Sequence, residues 1–266
     1  MERVLIYTRG EQSHSYKYEM AFKAGLEEHK VDVRVTDCDD YDNEDLVVQW
    51  GIRNQKLISK SKNYLILERG YVGDREEYTS TGFNGLNGRG YSPRPPEELT
   101  DRVVNLACKN MYAIGQGRGK YILVLGQVPS DMSVKPVNYN KWLQDKVMWL
   151  RKEYPEILIR YRPHPLDKEP FIPDLVNEVS EGRTVGEDII NAVFTVSLSS
   201  NAGVDSLLMG KLVMTDSDVS MVKRFDRRLY SGGERMEWFN NICYRQWTIE
   251  EMASGQAWEH LKKGMV

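Results

Sequence analysis

The sequence predicts an α/β protein of two stacked domains with mostly parallel sheets. Three observations carry that expectation. Short apolar runs alternate with segments of helical period. The strand-first order begins again after a glycine-rich break at 113–120. In the second half, two polar turns leave the ends of apolar strands, where open α/β sheets bind ligands. The expected division is an N-terminal domain over 1–115, a C-terminal domain over 116–245 and a C-terminal helix, 246–266, able to pack back on the first.

In the first half, RVLIYT (3–8) reads as a buried strand and 16–28 as a helix with Tyr18, Phe22 and Leu26 on one face. VDVRVT alternates as a second strand, and LVVQWG is a third. NQKLISKSK fits a short helix, and YLILERG (64–70) is a fourth strand. The acidic loop DCDDYDNED matches no calcium-loop spacing and reads as solvated surface. The glycine- and proline-rich stretch 70–96 is too long for an idle connection and reads as a functional loop. EELTDRVVNLACKNMY is helical, with Leu99, Val103, Leu106 and Ala107 in phase.

After the break, YILVLGQ is a strand and 138–154 an amphipathic helix ended by Pro155, with Trp142, Val147 or Met148, and Leu150 facing the core. EILIRY leads into a His-Pro turn. EPFIPDLVNEVSE reads as a weak helix, RTVGE as extended and EDIINA as a helical turn. AVFTV is a strand, SSNAGVDSLLMG a Ser-rich turn opening into a helix, and KLVM a strand. Residues 217–234 read as basic loop and RMEWFNNICYRQ as a helix. Thr248 and Glu251 form a capping-box pattern at the start of the last helix.

Composition narrows the class. Of 266 residues, 41% are hydrophobic and 28% charged, enough for a core and unlike a disordered chain. A net charge of -3 argues against an all-round nucleic-acid binder. Cys38, Cys108 and Cys243 form no Cys-x-x-Cys pair, so neither a disulfide framework nor a zinc site is expected, and buried reduced thiols are. MERVLIYTRG reads as a charged start followed by a strand rather than a secretory signal. No apolar run approaches the roughly 20 residues that span a bilayer. A soluble, cytoplasmic protein is expected.

The chemistry gathers in three places. His164 stands in a stiff Arg-Pro-His-Pro turn, and an imidazole so held can donate to a phosphate oxygen. Arg162 precedes it on the same strand face as Arg160. Ser199, Ser200 and Asn201 lie before a helix start, where N–H groups favour anions, and Gly203 permits close approach. One of these side chains is needed simply as an N-cap. Neither a P-loop nor a nucleophile elbow is present. At the end of the fourth strand, Glu68, Arg69, Tyr71, Asp74 and Arg75 face the crevice edge. A carboxylate there could deprotonate an acceptor hydroxyl or simply pair with an arginine.

Together, the His-Pro after a strand, the Ser-Ser before a helix and the following Gly-Lys-Leu-Val strand resemble bacterial GT-B glycosyltransferases. The likeness is to the capsular polysaccharide biosynthesis (Kdo-transferase) and bacterial sialyltransferase group. LERGYVGDREEYTSTGFNGLNG also looks like the Glu-x-Gly-Tyr segment of capsule enzymes, which adds Asn84 and Asn87 to the acceptor-side loop. The likeness covers roughly 64–90 and 156–214. It implies two Rossmann-like domains facing across a cleft, with a donor phosphate contacted by His164, Ser199 and Ser200, and Glu68 and Asp74 on the acceptor side. It also implies no metal and no cofactor beyond the nucleotide-sugar co-substrate. The expected activity is metal-independent transfer of a sugar from a nucleotide-sugar donor to a saccharide or other hydroxyl acceptor. Two alternatives stand beside it: DNA as acceptor through modified bases, with basic contacts from 223–228 and Arg89–Arg94, or a non-catalytic nucleotide-sugar binding module.

Overall fold

The computed structural model describes residues 2–135 and 137–265. Two compact units divide the chain: Met1–Ala107 with Glu237–Val266, and Cys108–Met236. The two boundaries fall inside helices.

The first unit contains β1 (Arg3–Tyr7), α1 (Tyr16–Glu28), β2 (Asp32–Thr36), β3 (Leu46–Trp50), α2 (Gln55–Lys60), β4 (Tyr64–Arg69) and β5 (Tyr78–Phe83). α3 (Asp101–Asn110) follows and crosses into the second unit. The chain returns through α7 (Gly232–Cys243), β11 (Gln246–Thr248), α8 (Ile249–Ala253) and α9 (Gln256–Leu261). The sheet order is β11-β5-β4-β3-β1-β2. β2, β1, β3 and β4 run parallel, and β5 and β11 pair antiparallel. β1 and β3 are central, so both faces are apolar. Val4, Ile6 and Val48 meet Phe22 and Leu26 of α1 and Trp258 of α9, while Leu5 and Val47 meet Leu57 of α2.

A strand sits inside the stretch predicted to be loop. β5, Tyr-Thr-Ser-Thr-Gly-Phe, is buried for all but its first residue, yet its polar side chains give no apolar signal. The glycines beyond it are required by backbone contact. A Cβ on Gly85 would lie 2.7 Å from Arg89 C, and one on Gly90 would lie 2.5 Å from Gly85 O. The last helix is also divided: Gly255, at φ +81°, separates α8 from α9. The capping box of Thr248 and Glu251 opens α8. Gly25 of α1 lets α8 dock, because a Cβ there would lie 1.9 Å from Met252 O.

The second unit contains β6 (Tyr121–Leu125), α4 (Tyr139–Glu153), β7 (Leu158–Arg162), β8 (Glu178–Val179), α5 (Val185–Ile190), β9 (Ala192–Ser197), α6 (Ala202–Leu208) and β10 (Leu212–Thr215). The order is β10-β9-β6-β7-β8, all parallel. Tyr139, Leu143, Val147 and Leu150 of α4 cover one face, and Ile189 of α5 with Ala202 of α6 helps cover the other. Val147 faces in and Met148 out. The expected helix at 169–181 does not form. Pro170 and Pro173 interrupt it, and only the short β8 is regular. RTVGE is not extended either, since Thr184 caps α5 with Glu187 closing a capping box.

Candidate functional site

β6 is the hinge of the second sheet. From it the chain moves to β7 and β8 on one side, then returns to β9 and β10 on the other. The loops after β6 and β9 therefore part at a topological switch point, the place where open parallel sheets hold ligands. The residues after these strands and after β7 are Gly126–Gln127, Leu198–Asn201 and Pro163–His164.

These three turns are joined tightly. Gly126 N–H donates to Arg162 O at 2.7 Å. A Cβ on Gly126 would lie 2.8 Å from Arg162 O and 2.9 Å from His164 N, so only glycine lets the His-Pro turn close on β6. On the other side, Ser199 N–H donates to Gln127 Oε1 at 2.8 Å, and Gln127 Nε2 donates to Ser199 Oγ at 3.0 Å. Ser199 Oγ in turn donates to Ser133 O at 3.2 Å. Gln127 N–H donates to the buried Tyr139 hydroxyl at 2.7 Å, and burial pushes that phenol's pKa up. Gln127 is not visible as a site residue in the sequence, because a lone glutamine after a strand has no motif.

His164 is half-buried, and its Nδ1 accepts from Leu166 N–H at 3.2 Å. That contact puts the neutral ring's proton on Nε2, the donor that a phosphate oxygen requires. Ser200 Oγ accepts from Ala202 N–H at 3.2 Å, which makes it the local cap of the α6 turn. Asn201, half-buried, occupies the N-cap position without a side-chain capping bond. Gly203 has a packing reason: a Cβ there would lie 3.0 Å from a Val222 methyl.

Arg162, expected at the donor phosphate, is engaged by its own unit. Its Nη1 donates to Asp188 Oδ2 at 2.8 Å and to Ser180 Oγ at 3.3 Å, and its Nη2 to Arg183 O at 2.7 Å. Arg160 shares its face, as the strand alternation requires, and reaches Asp188 Oδ1 at 3.2 Å and Glu178 Oε2 at 2.8 Å. The two arginines neutralise a fully buried aspartate and tie β7 to α5.

In the first unit, Glu68, Tyr71 and Asn87 line one narrow crevice with Ser80 and Thr81 of β5. Tyr71 is fixed by Gln246, whose Oε1 accepts from Tyr71 N–H at 2.8 Å and from Val72 N–H at 2.9 Å. The Tyr71 hydroxyl donates to Asn87 Oδ1 at 3.3 Å, and burial raises its pKa. Glu68 is half-buried with Oε1 against Gly51, 2.9 Å from where a Cβ would stand. The other loop candidates have structural partners. Asp74 Oδ1 accepts from Glu76 N–H at 2.8 Å in an Asx turn, Arg69 pairs with Glu76, and Arg75 Nε donates to Gly70 O at 3.2 Å. Asn84, at φ +53°, accepts from Tyr64 N–H at 2.9 Å.

Among the described residues no three His, Cys, Asp or Glu side chains are grouped to hold a metal ion. Asp-x-Asp runs occur at 37–39, 40–42 and 216–218. Asp39 pairs with Lys56 at 3.1 Å, Asp40 with Arg34 and Asp216 with Lys146 at 2.6 Å. The basic run 223–228 is likewise paired internally: Lys223 with Asp226 at 3.3 Å, Arg227 with Asp216 and Arg228 with Glu234 at 2.9 Å. Cys38 and Cys108 are exposed, contrary to the expected burial, and Cys243 is buried, its thiol pushed up to about 12. Among the described residues no helix is long and apolar enough to cross a membrane.

Two α/β units built on mostly parallel sheets, with the second sheet hinged at β6, define a GT-B type of fold. Solved structures of KpsC from Thermosulfurimonas dismutans share it. Its β-Kdo 2,7 transferase aligns with a TM-score of 0.58 and 15% identity, covering 97% of this chain and 99% of that one. Its β-Kdo 2,4 transferase gives a TM-score of 0.62 and 15% identity, covering 92% of each. Protein FixF of Sinorhizobium fredii is 28% identical over 130 residues, 45% of this chain and 32% of its own length. That match spans about a third of the FixF chain. No family model matches.

Proposed function

We propose that the chain is a glycosyltransferase that moves a sugar from a nucleotide-sugar donor to an acceptor hydroxyl without a metal ion. The observation that carries this reading is the joined edge of β7, β6 and β9, which sets His164 and Ser199 at a switch point in a GT-B fold. The donor's phosphate binds the second unit there. His164 Nε2–H and the Ser200 hydroxyl are its donors, while Ser199 and Gln127 hold the turn in shape. As the bond from anomeric carbon to phosphate oxygen breaks, negative charge collects on that oxygen, and fixed donors stabilise it. The acceptor oxygen bonds to the anomeric carbon, and its proton passes to a general base. Of the two expected acceptor-side carboxylates Glu68 fits that role better, because Asp74 is spent on its turn.

The test is transfer and nucleotide affinity in His164→Ala. Transfer should fall by about a hundredfold or more, as for loss of one charge-stabilising donor, with the fold retained. Transfer at the wild-type rate would sink the assignment. The donor panel should pair CMP, UDP and GDP with their sugars. Because KpsC structures of like fold are Kdo transferases, activated Kdo belongs in that panel.

A further inference from the structure

The first sheet has a switch point of its own. β1 leads through α1 to β2 on one side, and β3 and β4 lie on the other. The loops after β1 and β3 part there, and one side chain bridges them. Arg53, after β3, donates from Nη1 to Ser15 Oγ at 2.7 Å and to Ser13 Oγ at 3.4 Å, both in the loop after β1. Its Nη1 also stands 3.8 Å from the carboxylate of Glu19, which is fully buried and takes no hydrogen bond. Arg53 is therefore anchored entirely through one nitrogen. Its Nε and Nη2 donate to none of the described residues, yet they are not sealed in the interior.

Nε and Nη2 together form the side-on edge that grips a carboxylate or phosphate with two parallel hydrogen bonds. The nearby carboxylates of Glu19 and Glu68 favour the charged guanidinium but do not outweigh its burial. Burial and then Arg9 hold the Arg53 pKa below its ordinary value, so an arriving anion relieves an unfavourable cation. Beside it, His14 packs edge-on against Trp50, ring centroids 5.3 Å apart, and supplies a ring wall. Glu68, the proposed base, lies against Gly51 on the same stretch of chain.

We infer that the switch point between β1 and β3 is an anion site in which Arg53 takes the carboxylate or phosphate of an acidic acceptor. This rests on reading the first unit as the acceptor side. Arg53 is a specificity-determining residue: it orients an acidic acceptor beside Glu68 and disfavours a neutral one.

The experiment records the Arg53 Nε–H resonance of the full chain by NMR, assigned through its loss in Arg53→Lys. The probes are galacturonate, galactose 6-phosphate and neutral galactose. A saturable shift with either charged sugar but not with galactose is expected. A response to galacturonate alone identifies a carboxylate acceptor, and one to the phosphate alone a phosphorylated acceptor. Arg53→Lys keeps the charge beside Glu19 but loses the fork, so calorimetry should show binding weakened about tenfold. Absence of a saturable shift with both anions, an equal response to galactose, or unchanged affinity in Arg53→Lys would overturn the site. Nucleotide affinity measured on the same samples reports on the second unit, so failure of the donor reading is seen separately.

Discussion

Gln127 and Ser199 are joined at both ends of the glutamine amide, Oε1 accepting from Ser199 N–H at 2.8 Å and Nε2 donating to Ser199 Oγ at 3.0 Å. Both residues are buried, and they follow β6 and β9, the strands on either side of the switch. The amide thus holds open a gap in the sheet edge at a fixed width. In the first unit, Arg53 and Ser15 bridge the corresponding gap.

Replacing Gln127 tests whether that brace matters. Gln127→Leu leaves the buried Ser199 N–H without an acceptor, at a cost of about 1 to 3 kcal/mol. The turn should relax and nucleotide affinity fall about tenfold in calorimetry. Gln127→Glu keeps the acceptor but loses the donor to Oγ, and should fall between. Wild-type affinity in Gln127→Leu would show that the brace does not shape the donor site.

The ion cluster at Asp188 makes a contrasting prediction. Removing its charge in Asp188→Asn leaves Arg160 and Arg162, 15% and 18% exposed, without their buried partner. Breaking such a pair costs about 3 to 5 kcal/mol, so the denaturation midpoint should drop clearly. Nucleotide affinity of the folded protein should stay within about twofold. A large loss of affinity at unchanged stability would return Arg162 to the phosphate site.

How much of the molecule is legible in the sequence follows from which residues carry a local signal. The strand–turn pairs around His164 and Ser199 are readable because an apolar run that meets Pro-His-Pro or Ser-Ser-Asn must leave the sheet there. β5 is not readable, because Thr79, Ser80 and Thr81 are buried between two antiparallel neighbours and look polar on paper. The contacts of Arg162 are hidden for a different reason. Strand alternation gives a side chain's face, but its partner, Asp188, comes from a helix placed by the tertiary fold. Gln127, Gln246 and Arg53 share that difficulty, since each acts through contacts distant in sequence. The acidic loop is surface except at Glu44, which is buried and pairs with Arg34, a contact its spacing does not reveal. Its carboxylates are consumed by Arg3, Arg34 and Lys56.

Acid should destabilise the fold in two stages, and the sign is the same in both. His260 is buried, and burial, followed by the charge of Lys263, holds its pKa below the ordinary 6.5. The unfolded chain therefore takes up that proton first, and stability is lost as pH falls below 6.5. His14, lowered by desolvation and by Arg53, adds in the same direction. The second stage belongs to carboxylates. Burial opposes the charged forms of Glu44 and Asp216, but the bonds from Arg34 to one and from Lys146 and Trp142 to the other outweigh it. Glu234, held by the Ser231 backbone N–H and by Arg228, is lowered to about 2 from an ordinary 4.5. Depressed carboxylates stabilise the fold above their unfolded values, so this contribution drains away from 4.5 toward 2. Urea midpoints across this range should fall in a shallow step and then a steeper one. His260→Leu should flatten the first step and leave the second. A midpoint that stays level from neutrality down to about pH 3 would contradict both assignments.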